Sequence, residues 1–272
     1  MVKKFKKDKI AMVSFLIILF TIIIGMFPET LAPNSPIETS IINKYAPMST
    51  AFPLGTDHLG RCILSRIIYG IRTTIYLSIF TMVCTIVIGT IVGLISGYTK
   101  GIADEIIMRT VDIILSFPSQ VLILAVVGML GVGIENVIIA SIAIKWAWYA
   151  RMIRSSVLKY NFKNYIIYSK TIGMSKFYII TRHILPNILS EIIVLATLDM
   201  GWVIINISTL SFLGLGVQAP TPEWGAMLSE AKNVMTSYPA QMLAPGIAIL
   251  VIVASFNMLG DSLRDILDPK EV

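Results

Sequence analysis

"TTIYLSIFTMVCTIVIGTIVGLISGYT", residues 73–99, contains no charged side chain. A helix needs about 20 predominantly apolar residues to cross the ~30 Å hydrocarbon core of a bilayer. Because the stretch exceeds that length, it is predicted to cross a membrane as a single helix. It therefore indicates an all-α polytopic membrane protein, and the remaining sequence can be read outward from it.

The composition of the whole chain supports the same class. Of its 272 residues, 56% are hydrophobic and only 14% are charged, whereas soluble domains average about 25% charged residues. Cys62 and Cys84 lack a metal-like spacing, and Cys84 lies inside the apolar run, so packing is expected rather than a disulfide. A soluble enzyme is therefore excluded, and no nucleic-acid partner is expected.

Five further apolar windows complete a prediction of six transmembrane helices. The first is about the minimum length for a span and is longer than a typical signal-peptide core, so an uncleaved helix is expected. Two windows are interrupted, one by Lys145 and the other by Glu191 and Asp199. The five windows are 10–27, 113–134, 233–260 and, with these interruptions, roughly 137–152 and 188–213.

Lysine and arginine in short loops set the orientation, because they remain preferentially on the cytoplasmic side. Five lysines lie in the tail before the first span, and the segment 151–187 contains seven basic residues and no acidic one. Both termini, the 100–112 segment and the 151–187 segment are therefore predicted in the cytoplasm. We divide the chain into 1–70, which holds the tail, the first span and an extracytoplasmic segment, and a core of five spans at 71–265.

The 151–187 segment is longer than most connections, which indicates a function or a structure of its own. Two interpretations stay open on physical grounds. One is an amphipathic hairpin resting on anionic lipid, and the other is a knob that docks into a groove of a soluble partner. The predicted elements are a continuation of the fourth span over Arg151–Tyr160, a helix over Asn164–Ile172, a turn at Gly173, a cap at Ser175, a helix over Lys176–Leu185, and Pro186 at the next span.

Charged side chains within the spans are candidates for function, because each costs about 2.5–3.5 kcal/mol to place at the bilayer centre. Lys145 is close enough to the cytoplasmic surface for its side chain to reach it, and Glu191 is expected near the interface. Asp199 is deeper. Lys145 and Asp199 are therefore the candidates for lining a path or for pairing with each other, and a structural contact between helices is the alternative.

The segment "GVQAPTPEWGAML" is predicted on the outer side of the membrane. Gln218, Glu223 and Trp224 are its candidate site residues. One interpretation is a rigid turn with an interfacial tryptophan anchor. The other is a contact for an extracytoplasmic protein, or a gate.

The sequence offers no catalytic or metal-binding set. His58 and His183 fall on opposite sides of the predicted membrane, and no phosphate-binding GxxxxGK[ST] sequence occurs. An intramembrane enzyme that uses Lys145 and Asp199 and a membrane scaffold that recruits a soluble protein remain as alternatives from other functional classes.

Five segments resemble one family of membrane proteins. "TIGMSKFYIITRHILPN" resembles the cytoplasmic loop of ATP-binding-cassette importer permeases, E-A-A-x3-G-x9-I-x-L-P, at Gly173, Leu185 and Pro186. The first three consensus positions fall just before this segment, on Ile167, Tyr168 and Ser169, and all three differ from the consensus. His183 replaces the consensus isoleucine, a replacement that is common in the dipeptide, oligopeptide and nickel branch. The other four segments are similar, in order and spacing, to the second permease subunit of the dipeptide, oligopeptide and nickel branch: "FPLGTDHLGRCILSRIIYGIRT" (52–73), "GYTKGIADEIIMRTVDIILSFP" (97–118), "SFLGLGVQAPTPEWGAML" (211–228) and "FNMLGDSLRDILDP" (256–269).

The resemblance implies the type I importer permease fold in the bacterial cytoplasmic membrane. It implies a second, homologous permease subunit, an extracytoplasmic solute-binding protein, and two ATP-binding subunits that use ATP and Mg. The permease itself would bind no cofactor and would not be an enzyme. Peptides are the expected cargo, with nickel, cobalt or a metal–metallophore complex as the alternative. The ATPase-coupling loop would contain Ile167, Tyr168, Ser169, Lys170, Gly173, Met174 and Lys176.

Overall fold

The computed structural model describes residue 5 and residues 8–99 and 101–267. In these residues the regular secondary structure is helical apart from one isolated bridge between Thr56 and Cys62, and turns and irregular segments connect the helices. Two π-helical segments, Arg72–Tyr76 and Ile180–Ile184, join helices end to end. The α-helices are α1 (Lys9–Met26), α2 (Pro28–Leu31), α3 (Ile63–Ile71), α4 (Leu77–Thr99), α5 (Ile102–Leu115), α6 (Ser119–Leu130), α7 (Ile134–Asn161), α8 (Asn164–Thr171), α9 (Lys176–Ile179), α10 (Leu185–Phe212), α11 (Trp224–Ala231) and α12 (Ala240–Leu267).

The all-α class is confirmed, and most predicted spans lie inside long helices. The window 73–99 is the second part of a longer helix, Ile63–Thr99, in which α3 continues through the π-helical segment into α4. α1 agrees with the first window to within one residue. The start of the last window is wrong, because a short 3-10 turn and Pro239 precede α12, which begins at Ala240.

The prediction of one helix over 113–134 is wrong. α5 ends at Leu115 and α6 begins at Ser119, and the two helices meet at an angle of 87°. Pro118 accounts for the break, because proline lacks an N–H donor and disfavours helical backbone in the residue before it. Counting this bent pair as one span, up to five helices of the described residues are long and apolar enough to cross a membrane. α7 has the length but carries several charges, and the count of six stays a prediction.

One end of the bundle, here called the basic end, gathers the segments predicted in the cytoplasm. The Asp8 carboxylate at the start of α1 interacts with Ser262 near the end of α12. The Arg154 guanidinium of α7 binds the Asp104 carboxylate of α5 through two contacts of 2.6 Å. Helices α8 and α9 lie at the same end. Which side of the membrane this end faces stays a prediction, as does the division at residue 70, a position that lies within α3.

Three glycines let α4 approach α7 closely. Gly89, Gly93 and Gly97 recur every four residues and so share one face of the helix. A Cβ at Gly93 would lie 2.7 Å from the Ala150 carbonyl oxygen and 2.9 Å from the Ile153 Cβ. In lipid, helix association depends on such close packing, because the lipid tails are as apolar as the side chains.

A buried ionic network holds the opposite end together. The Asp57 carboxylate accepts hydrogen bonds from Arg61 Nε at 2.7 Å and from Arg66 Nη1 at 2.5 Å. Glu230, near the end of α11, accepts from the same two guanidinium groups at 2.7 Å and 2.6 Å. The network therefore ties the segment before α3 to α3 itself and to α11.

The network shifts the titration of Asp57, which lies outside the spans. Burial acts to raise its pKa, but the charges of Arg66 and Arg61 and the hydrogen bonds from two backbone N–H groups outweigh burial, so the pKa lies below its ordinary value. A carboxyl with a depressed pKa in the folded state stabilises the fold above its unfolded pKa of about 3.9. That stabilisation is lost as the pH falls through the folded-state value.

Replacing Gly93 with leucine tests the close packing of α4 and α7. We expect Gly93→Leu to destabilise the protein by about 3 kcal/mol, at the upper end of the cost of overpacking, because the added side chain meets backbone. Gly128→Leu on α6 is the matched control, since a Cβ there would have nothing within 4 Å. Thermal unfolding in detergent compares the two variants, and equal midpoints would contradict the packing argument.

Neutralising Asp57 tests the ionic network. Asp57→Asn should lower the free energy of unfolding by about 3 kcal/mol at pH 7, because two buried guanidinium groups lose a counter-charge. The difference from the unmodified protein should shrink as the pH falls below about 4, where the aspartate of the unfolded chain takes up a proton, and should be lost as the pH falls through the lower folded-state pKa. Glu29→Gln serves as control, because its pair with Arg72 spans 3.4 Å and the Glu29 side chain is 74% exposed. A difference that stays constant down to pH 3 would argue against the network.

Candidate functional site

The structure brings Lys145 and Asp199 together between α7 and α10. The Lys145 ammonium lies 3.1 Å from Asp199 Oδ1, and the Tyr149 hydroxyl donates to Asp199 Oδ2 at 2.7 Å. The same ammonium lies over the Trp202 ring, 3.6 Å from the centroid of the ring. The pair is therefore a small polar centre with an aromatic wall, between α7 and α10.

This pair is shielded but not closed off. The side chains of Lys145 and Asp199 keep 15% and 17% of their surface exposed. Their mutual attraction offsets part of the cost of placing two charges among apolar segments. Because part of each side chain is exposed, a ligand can contact both charges. That the pair lines a translocation path stays a prediction.

Glu223 and Trp224 are buried, whereas Gln218 is exposed. Glu223 is the N-cap of α11, and its carboxylate accepts hydrogen bonds from the Thr74 and Ser208 hydroxyls at 3.0 Å and 3.1 Å. The Trp224 indole donates to the Ile67 carbonyl at 3.0 Å. These contacts hold the start of α11 against α3, the π-helical segment Arg72–Tyr76 and α10, which is what a rigid packing element requires. The role in binding an extracytoplasmic protein, or as a gate, stays a prediction, and of the three only Gln218 offers an exposed side chain for it.

The predicted loop forms two short helices joined by a turn. Gly173 adopts φ +80° and a Cβ there would have nothing within 4 Å, so backbone conformation and not crowding requires glycine. The Ser175 hydroxyl accepts a hydrogen bond from the Tyr178 N–H, which confirms the predicted cap. The helix that follows continues through the π-helical segment Ile180–Ile184 into α10.

The loop exposes apolar side chains at its surface. Tyr168, Ile172 and Phe177 keep 66%, 50% and 77% of their surface exposed, over the fully buried Ile166 and Ile179. Exposed apolar groups of this size, grouped together, mark interaction surfaces. Of the seven predicted loop residues, six are exposed and Ser169 is buried. The exposed ones are Ile167, Tyr168, Lys170, Gly173, Met174 and Lys176.

Ser169 and Lys170 make hydrogen bonds inside the protein. The Ser169 side chain is buried and donates to the Tyr165 carbonyl at 2.8 Å. The Lys170 ammonium donates to the Asn161 side-chain oxygen at 3.2 Å and lies 5.1 Å from the centroid of the Tyr98 ring. The Lys170 contacts connect α8 to the ends of α7 and α4, whereas the Ser169 hydrogen bond lies within α8.

Asp57, His58 and Glu230 offer three metal-ligand atoms within 4.8 Å of one another. Both carboxylates already bind Arg61 and Arg66. A metal ion at this point would lie beside two permanent positive charges. The cluster is therefore a structural ionic network and does not fit a metal ion.

Sequence reasoning missed this network and the glycine face of α4. The glycine face could have been found in the sequence, because a glycine occurs at every fourth residue from 89 to 97 within the charge-free stretch 73–99. The network had a weaker signal, because Asp57, Arg61 and Arg66 fall within one of the segments quoted for the resemblance while Glu230 is far away in sequence. No local pattern joins Glu230 to the other three.

Comparison with known proteins gives two family matches. Residues 89–271 match the family described as binding-protein-dependent transport system inner membrane component. Residues 1–47 match the N-terminal transmembrane domain of oligopeptide transport permease C. Together the two matches cover most of the chain.

Individual relatives cover nearly the whole chain. The metal-staphylopine import system permease protein CntC of Staphylococcus aureus is 46% identical over 98% of this chain and 93% of its own length. The dipeptide transport system permease protein DppC of Alkalihalophilus pseudofirmus is 42% identical over 98% of this chain and 88% of its own. The glutathione transport system permease protein GsiD of Escherichia coli is 40% identical over 98% and 89%.

These matches agree with the helical membrane fold and with the resemblance carried by the quoted segments. The chain belongs to the family of binding-protein-dependent transport system inner membrane components, and it is a permease of an ATP-binding-cassette importer in the bacterial inner membrane.

Proposed function

We propose that the chain imports a small zwitterionic peptide along a path that passes the Lys145–Asp199 pair. The partly open pair carries the proposal, because it presents one positive and one negative charge 3.1 Å apart within apolar helices. A short peptide presents a carboxylate and an ammonium group in return. If Lys145 and Asp199 each exchanged the other for the opposite charge of the peptide, the peptide's carboxylate and ammonium group could pass without leaving an isolated charge in the membrane.

The relatives support a peptide-like cargo, since two of those described above are named for dipeptide and glutathione transport. A metal complex is the second candidate, supported by 46% identity to a metal-staphylopine permease. A chelated metal arrives with its own ligands, so this cargo would need no metal-binding residues in the permease. The closed Asp57–Glu230 network is compatible with that requirement.

The energy for import is proposed to come from two ATP-binding subunits, because the sequence contains no phosphate-binding GxxxxGK[ST] segment. A second permease subunit would complete the path, and a solute-binding protein would deliver the cargo. The basic end would face the cytoplasm, where the exposed apolar side chains of α8 and α9 would enter a groove of an ATP-binding subunit.

Coupling between the two sites follows from the continuity of the helix. The segment Lys176–Phe212 is one continuous helical rod of 37 residues that contains both α9 and Asp199. Movement of the docked loop would therefore move α10 against α7. The Lys145–Asp199 distance would change, and the path would open to one side at a time.

A change at Gly173 tests the docking role of the loop. Gly173→Val should cost about 1–2 kcal/mol locally, because a residue with a Cβ is strained at positive φ. The spans should remain inserted, since a side chain there meets no neighbour. We expect a complex that loses its ATP-binding subunits or hydrolyses ATP without uptake, measured as binding-protein-stimulated ATPase activity and uptake in the same proteoliposomes.

Gly173→Asn is the matched control, because asparagine tolerates the left-handed region better than valine does. It should retain more coupling than the valine variant. Normal coupling in Gly173→Val would overturn the docking role and favour a hairpin that rests on lipid.

Uptake assays with an Asp199 variant test the path and the cargo. Proteoliposomes with the full importer should accumulate labelled dialanine, and Asp199→Asn should lower kcat/KM about tenfold, since a charge-assisted hydrogen bond is worth roughly 1.5 kcal/mol. Glu135→Gln, at an exposed acid near the start of α7, should leave uptake unchanged.

Two results would change the proposal. Uptake of a labelled metal–chelate complex without uptake of dialanine would replace the peptide with the metal complex as cargo. Unchanged dialanine uptake by a fully assembled Asp199→Asn importer would show that the pair is structural.

A further inference from the structure

A cavity of about 430 Å³ opens between α7, α10 and α12 at the basic end. Its volume falls in the range of small-molecule sites. Aliphatic side chains form most of its wall, and two side chains of opposite charge also line it. The lining residues used below are Met152, Glu191, Leu195, Leu198, Arg264 and Leu267.

The two charged groups have free bonding capacity. Glu191 accepts one hydrogen bond, from the Ser156 hydroxyl, through a single carboxylate oxygen. Within the described residues, neither Glu191 nor Arg264 takes part in an ion pair. Arg264 can therefore offer its guanidinium fork to a carboxylate, and Glu191 can accept an ammonium group.

The cavity lies next to the Lys145–Asp199 pair. Leu198 immediately precedes Asp199 on α10, and Met152 lies seven residues, or about two turns, after Lys145 on α7. Along the axes of α7 and α10, the cavity therefore lies between the pair and the basic end.

We propose that this cavity binds a small zwitterion, an amino acid or short peptide, with its carboxylate on Arg264 and its ammonium group on Glu191. Leu195, Leu198 and Met152 contact the aliphatic part of the ligand. The proposal rests on the proposed function, in which the basic end faces the cytoplasm. The site is then loaded from the cytoplasm, and accumulated cargo occupies the exit of its own path.

Cysteine protection in the full importer tests the site. Leu195→Cys places a thiol on the cavity wall, and its labelling by a polar maleimide is followed in phosphatidylcholine nanodiscs with dialanine as the probe. The parent importer gives the background from Cys62 and Cys84. At about ten times its dissociation constant, dialanine should slow labelling roughly tenfold by mass action.

The charged groups are tested in the same background. Arg264→Gln and Glu191→Gln should each remove the protection, whereas Lys159→Gln, at an exposed basic residue near the end of α7, should retain it. Acetylalanine amide, which lacks both charges, should not protect. Protection by this neutral analogue equal to that by dialanine, or protection that survives both charge variants, would overturn the assignment.

Two further arms separate the possible causes of failure. If phosphatidylglycerol in the nanodisc blocks labelling and dialanine adds nothing, a lipid headgroup occupies the cavity and the zwitterion site is rejected. Dialanine uptake is measured with the same preparations. Normal uptake without protection rejects only the cavity site, whereas protection without uptake supports the site and rejects peptide import.

Discussion

The close approach of α4 to α7 is the constraint on which the rest of the structure depends. A Cβ at Gly89 would lie 2.4 Å from the Tyr149 Cβ, so the absence of a side chain at residue 89 sets the position of Tyr149. The Tyr149 hydroxyl in turn holds one oxygen of Asp199 while Lys145 holds the other. The geometry of the charged pair is therefore determined by a glycine on a helix that contributes no charge to it.

Glycines also allow close helix packing at the end of the bundle opposite the basic end. A Cβ at Gly225 would lie 2.0 Å from the Ser208 carbonyl oxygen, and one at Gly70 would lie 2.8 Å from two atoms of the Trp224 ring. Close backbone contact and buried hydrogen bonds replace the hydrophobic effect, which does not drive helices together in lipid. Glycines and internal polar pairs thus hold both ends, while the lipid-facing surface stays apolar.

Hydropathy predicted the helices that consist of one uninterrupted apolar run. It failed where a proline or a tertiary contact determines the structure. The first window and α1 coincide to within one residue because a single apolar run has few alternatives. The window 113–134 failed at Pro118, where missing hydrogen-bonding capacity outweighs apolar composition. For the site, spacing predicted the depth of Asp199 and offered its pairing with Lys145 as one alternative, which the structure shows. The hydrogen bond from Tyr149 to the same carboxylate could not be predicted, because it depends on how α7 packs against α10. The Asp57–Glu230 network depends entirely on tertiary structure.

Pro186 lies within the long helix that joins α9 to Asp199 without breaking it. A proline within a helix removes one hydrogen bond and crowds the carbonyl one turn earlier, which usually breaks or kinks the helix. Here it occupies the first turn of α10, directly after the π-helical segment, where the Leu185 N–H donates to the Ile180 carbonyl across a wider turn. The wider turn accommodates the proline and keeps the helix continuous from Lys176 to Phe212. Since a continuous helix transmits a displacement along its whole length, Asp199 and α9 belong to the same mechanical element.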